Sequence, residues 1–142
     1  MMRNEQAERV PTIAGLVPIT QIMSERLVTA RPEMPVGDLI QMLRTQHVGC
    51  VPIVNEAGRP MGIVTKLDVV ECLNDGRATA RELMMPLAMS LESHATVGQA
   101  AALMSKEDIH HVLVVDEDRR LIGVVSALDI ARWLARNDGL AD

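Results

Sequence analysis

The stretch Gly62-Ile-Val-Thr-Lys-Leu-Asp-Val-Val70 returns 61 residues later as Gly123-Val-Val-Ser-Ala-Leu-Asp-Ile-Ala131. The same shift carries Met23 onto Met84 and Val36-Gly37 onto Val97-Gly98. It aligns residues 22–70 with 83–131 without a gap, with eleven identities. A repeat of this kind constrains the architecture more than any other feature. One small unit is made twice, and each copy buries against the other the apolar face it cannot cover alone.

The periodicity within the repeat predicts its elements. Val36, Leu39, Ile40 and Leu43 fall at i, i+3, i+4 and i+7, one face of a helix, and Val97, Ala100, Ala101 and Met104 do the same. Cys50–Val54 and Met61–Thr65 are short apolar runs around the turn-rich Asn55-Glu-Ala-Gly-Arg59, which reads as an antiparallel hairpin. Leu27-Val28-Thr29 reads as a short first strand. A second helix starts near Lys66, and its counterpart near Ala127 carries Trp133. Thr96-x-x-Gln99 and Thr79-x-x-Glu82 have the spacing of capping boxes. The expected fold is mixed α/β (α+β): two β-α-β-β-α units packed as a pseudo-twofold pair. The expected divisions are an N-terminal extension over 1–16, a first unit over 17–73, a linker over 74–79, a second unit over 80–137 and a tail over 138–142.

Composition removes whole classes of function. Aromatic residues make up 1% of the chain, with Trp133 the only ring, so base-stacking platforms for single-stranded nucleic acid are excluded. The net charge of -5 argues against a phosphate-backbone binder. No apolar run approaches the length of a membrane span, and MMRNEQAERVPTIAG lacks the apolar core of a signal peptide. Cys50 and Cys72 show no CxxC spacing and fit a reducing cytoplasm.

Both units place a hydroxyl and a carboxylate three residues apart where a strand becomes a helix: Thr65-Lys-Leu-Asp68 and Ser126-Ala-Leu-Asp129. Two readings share this pattern. It is a capping box, and it is also a ligand-binding end. A helix N-terminus offers unpaired N–H groups to an anion. The hydroxyl can donate to a phosphate, and the carboxylate can accept from two ribose hydroxyls. Gly62 and Gly123 would let the backbone pass close to a ligand.

Val51-Pro52-Ile53-Val54 followed by Gly62–Asp68, and Val112–Val115 followed by Gly123–Asp129, resemble the CBS domain, with Leu113 in place of the usual Pro in the second copy. The tandem resembles a Bateman module and covers residues 17 to 135. The resemblance implies a non-catalytic regulatory module that binds adenosine ligands (AMP, ADP, ATP or S-adenosylmethionine) in clefts between its copies. It implies no obligatory cofactor, and association into a homodimer acting on a regulated protein partner. The alternative is an interaction module with vestigial clefts. P-loop, Rossmann, nucleophile-elbow and zincin motifs are missing from the sequence, so an enzyme is not expected.

The resemblance also assigns site residues. One cleft would set Ile63, Thr65 and Asp68 opposite Met89, Ile109, His110 and His111. The other would set Val124, Ser126 and Asp129 opposite Val28, Val48, Gly49 and Cys50. Because related modules carry basic side chains just before the Pro position, His110 and His111 make the Asp68 cleft the expected phosphate site, while Gly49 and Cys50 offer no charge. No metal ligand set accompanies the histidines, and His47 reads as a surface residue.

Overall fold

The structure, a computed structural model, describes residues 13–73, 76–86 and 89–139. The expected extension, linker and tail fall partly outside them. One 3-10 turn, Ile13–Gly15, lies in the expected extension, and a second, Ile19–Gln21, opens the first unit. It comprises α1 (Val36–Thr45), β1 (Cys50–Val54), β2 (Pro60–Thr65) and α2 (Lys66–Cys72). Then come a one-turn α3 (Ala80–Leu83), β3 (Met85–Pro86) and β4 (Ser90–Glu92). The second unit continues with α4 (Val97–Glu107), β5 (His111–Val115), β6 (Leu121–Ser126) and α5 (Ala127–Asn137). Two three-stranded sheets result, ordered β1-β2-β3 and β4-β5-β6. The helix faces and hairpins follow the periodicity of the sequence.

The predicted strand at Leu27–Thr29 does not form. Its counterpart β4 runs parallel to β5, and the Leu113 N–H donates to the Met89 carbonyl at 3.0 Å. In the first unit Pro52 stands where Leu113 stands, and proline has no N–H to offer Val28. What survives is a single bridge, in which Ala30 bonds Pro52 O and Val54 N at 3.0 and 2.9 Å.

The units exchange their leading segments. β3, which precedes the second unit's first strand, pairs with β2 of the first unit through Met85 and Ile63. Reciprocally, Ser24 bridges Val124. Ala80 donates to Met34 O and Ile19 donates to Ala95 O, each at 2.8 Å, and these bonds also interchange under the 61-residue shift. The pseudo-twofold relation is thus written into the hydrogen bonds. Packing repeats it. Ala80 and Leu83 join the first unit's core, whereas Ile19, fully buried, joins the second's with Val112, Val114 and Val125. Cys50, Ile63 and Leu113 form a third cluster, against which Leu121 and Val124 pack.

Gly62 and Gly123 have a role other than the expected ligand approach. A Cβ on Gly62 would lie 2.6 Å from the Met85 carbonyl oxygen and 2.7 Å from the Met84 sulfur, and one on Gly123 would lie 2.4 Å from the sulfur of Met23. Each glycine admits a methionine from the exchanged segment.

Candidate functional site

Both hydroxyl–carboxylate pairs form capping boxes. The Ser126 N–H donates to Asp129 Oδ2 at 2.8 Å, and the Asp129 N–H donates to Ser126 Oγ at 3.0 Å. Thr65 and Asp68 make the same pair of bonds at 2.7 and 3.3 Å. They differ in one proton. The Thr65 hydroxyl also donates to Asp68 Oδ2 at 3.0 Å, closing the box on itself. The Ser126 hydroxyl has no such acceptor among the described residues, and Asp129 Oδ1 has no partner among them. Capping leaves both free to meet a ligand.

These atoms border a cavity of about 420 Å³, within the range of small-molecule sites. All seven residues expected for the Asp129 cleft line it: Val124, Ser126 and Asp129 from β6 and α5, and Val28, Val48, Gly49 and Cys50 from the first unit. Val28, Val48, Pro52, Val124 and Leu128 supply apolar walls.

The cavity also holds cations that the sequence reading did not place there. Arg26 and Arg132 line it, with His47 and His111. Arg26 donates to Gln46 Oε1 at 2.8 Å, which steadies its guanidinium. Two signals could have found the arginines. Arg132 follows Asp129 by three residues, one turn along the same helix. Ser24, Arg26 and Val28 alternate along an extended segment and so share a side. His47 adopts φ 54°, and the chain turns back there into β1.

His111 lies in this cavity, not opposite Asp68 as expected. The cause is register: β5 pairs with β6 so that His111 sits across from Ser126. The ring occupies the space that Gly49 leaves, where a Cβ would stand 2.9 Å from His111 Nε2. Burial, helped by the charge of His110, holds the His111 pKa below its ordinary value, and Asp129 opposes this in part. The basic groups therefore gather at Asp129, the cleft that was expected to lack charge. Cys50, buried, has its thiol pushed up to about 12, so it lines the wall as an inert thiol.

The other expected residues are more dispersed. Ile63 is packed in the third cluster, whereas its counterpart Val124 is only half-buried and faces the cavity. Ile109 packs against the second unit's core. The His110 carbonyl accepts from Ala127 N at 2.8 Å, at the start of α5. Met89 is exposed beside β4.

The sequence profile of the CBS domain matches residues 19–75 and 80–136. The chain is a tandem pair of CBS domains. The CBS domain pair of protein MJ0100, in complex with 5′-methylthioadenosine and S-adenosyl-L-methionine, is similar to this pair at 29% identity and a TM-score of 0.81, covering 85% of this chain and 98% of that one. The cytosolic domain of the Mg2+ channel MgtE, in complex with ATP, is similar at 26% identity and a TM-score of 0.72, covering 81% of this chain and 48% of that one. L-aspartate semialdehyde sulfurtransferase of Methanocaldococcus jannaschii is 30% identical over 127 residues, 89% of this chain. This CBS pair spans a quarter of that relative's length. Among the described residues no helix is long and apolar enough to cross a membrane.

Proposed function

We propose that this CBS pair is a regulatory module that binds an adenosine-containing ligand (AMP, ADP, ATP or S-adenosylmethionine) in the Asp129 cavity. The observation that carries the reading is the unpartnered Asp129 Oδ1 beside the Ser126 hydroxyl, at a helix N-terminus and under apolar walls. The carboxylate oxygen suits the two ribose hydroxyls, Val28, Val48 and Val124 suit the two faces of adenine, and backbone groups of the Val48–Cys50 stretch can read its edge. The adenosine ligands of MJ0100 and MgtE support the ligand class. The role is binding, not catalysis. Asp68 and Asp129 belong to separate boxes and make no acid–base pair, and the Cys50 thiol is held protonated. The module acts as a homodimer on a protein partner, and its free cysteines suit the cytoplasm.

Calorimetric titration tests the reading. Asp129→Asn keeps an oxygen for the Ser126 N–H but loses the charge that holds the ribose. Affinity for adenosine should fall about 10- to 100-fold, because hydrogen bonds to a charged group contribute roughly 1.5–3 kcal/mol. Unchanged affinity would leave Asp129 as a helix cap only and favour an interaction module with a vestigial cleft.

A further inference from the structure

The pseudo-twofold axis gives each cavity residue a counterpart 61 positions away, and the charges do not survive the operation. Arg132 on α5 becomes Glu71 on α2. His47 becomes Asp108, and the equivalence is structural, since both residues adopt the same left-handed backbone, φ 54° and 53°. Arg26 becomes Leu87 in sequence. Asp129 becomes Asp68 and stays acidic. The Asp129 cavity thus joins two guanidinium groups to one carboxylate, whereas the positions related by the shift are Asp68, Glu71 and Asp108, with His110 as the counterpart of Gly49 and no arginine among them. The hydroxyl differs as well, because Thr65 donates to its own Asp68 and Ser126 is left available.

We propose that the Asp129 cavity is the chain's single phosphate-accepting position, so that the pair takes one phosphorylated adenosine nucleotide per chain and repels a second at Asp68. This rests on the adenosine reading above and narrows it from the adenosine class to its phosphorylated members. Arg26 on the leading segment and Arg132 on α5 both line the same space as Asp129. A ligand whose ribose meets Asp129 carries its 5′ substituent into a field set by the two arginines. Guanidinium groups match phosphate oxygens in geometry and charge. A sulfonium ligand brings a positive charge to the same place and is disfavoured. At the Asp68 end the residues related by the shift carry three carboxylates against the single imidazole of His110, so a phosphate dianion is disfavoured there.

The test titrates the full chain with adenosine, AMP and S-adenosylmethionine. The expected result is one AMP per chain, bound at least about tenfold more tightly than adenosine, with S-adenosylmethionine weaker than AMP. Arg132→Glu installs the side chain that the repeat carries at position 71. Arg132 is exposed, so the fold should tolerate the change. This variant should lose about tenfold or more in AMP affinity while adenosine binds as before, and Arg26→Gln should act in the same direction. Two AMP per chain, equal affinity for adenosine and AMP, or tighter binding of S-adenosylmethionine would each overturn the proposal while leaving the adenosine reading intact. If none of the three compounds binds, the adenosine reading falls and this proposal falls with it.

Discussion

At the scale of single residues, His111 is where the electrostatics of the site can be measured. Burial and His110 lower its pKa from 6.5, with Asp129 pulling the other way. Arg26, Arg132 and His47 line the same cavity. The unfolded chain takes up a proton at about pH 6.5 that the folded chain declines until a lower pH. The His111 contribution to stability is therefore complete above about pH 6.5 and is lost as pH falls through the folded value. Urea denaturation at neutral and acid pH should show this loss, and His111→Gln should be less acid-sensitive than wild type. Equal acid sensitivity would remove His111 from the account. Phosphate beside the ring favours its charged form, so AMP binding should take up protons and weaken as pH rises. Calorimetry in two buffers of different ionisation enthalpy reads that uptake. Gly49 is the second residue to change. A methyl group there would meet His111 Nε2 at 2.9 Å, at the far end of a side chain and not at backbone. Gly49→Ala should therefore alter AMP affinity by displacing His111, with little loss of stability. A variant that binds AMP as wild type does would show that the ring position is immaterial to the ligand.

At the scale of elements, the capping boxes separate what the sequence pattern determines from what packing decides. Thr96 and Gln99 satisfy each other's backbone N–H groups at 2.9 and 3.1 Å at the start of α4, as their spacing predicts. Thr79 and Glu82 have similar spacing, but the Thr79 hydroxyl donates to Glu82 Oε1 at 3.1 Å and caps no backbone group. α3 is only one turn long, and its first N–H, that of Ala80, is taken by Met34 O from across the pseudo-twofold axis. Thr96→Ala should cost about 1 kcal/mol, the usual loss for an N-cap, and Thr79→Ala only a few tenths. Chemical denaturation of the two variants checks the difference, and equal costs would contradict it. The missing strand at Leu27–Thr29 teaches the same lesson from the other side. Its apolar, β-branched character was legible, but the bond it needed depends on whether the facing residue is Pro52 or Leu113. The partner in the sheet decided the outcome, and a reading of the segment alone could not include it.

At the scale of the whole molecule, the 61-residue shift made the fold legible because pseudo-symmetry acts on every element at once. The seven residues that the CBS resemblance assigned to the Asp129 cleft line one cavity, but the cations beside them were not foreseen. The charge assignment was not legible, since it depends on strand register, which sets His111 beside Ser126, and on the exchanged leading segment, which brings in Arg26. The symmetry also shapes the outer surface. No residue of α5 is fully buried, although the helix carries Leu128, Trp133 and Leu134. Leu128 and Leu134 are 55% and 53% exposed, and their repeat partners Leu67 and Leu73 on and just after α2 are 63% and 64% exposed. An apolar surface repeated about a pseudo-twofold axis is suited to a second copy of the same chain, because a self-complementary patch closes into a dimer. Light scattering at micromolar concentration should give twice the 15.5 kDa of one chain. Leu73→Glu with Leu134→Glu places a carboxylate at both related positions. Because both sites are exposed, thermal stability measured within the monomer should change little, while the mass falls to that of one chain. A wild-type mass of 15.5 kDa would exclude the dimer. A double variant that still pairs would move the interface off these helices.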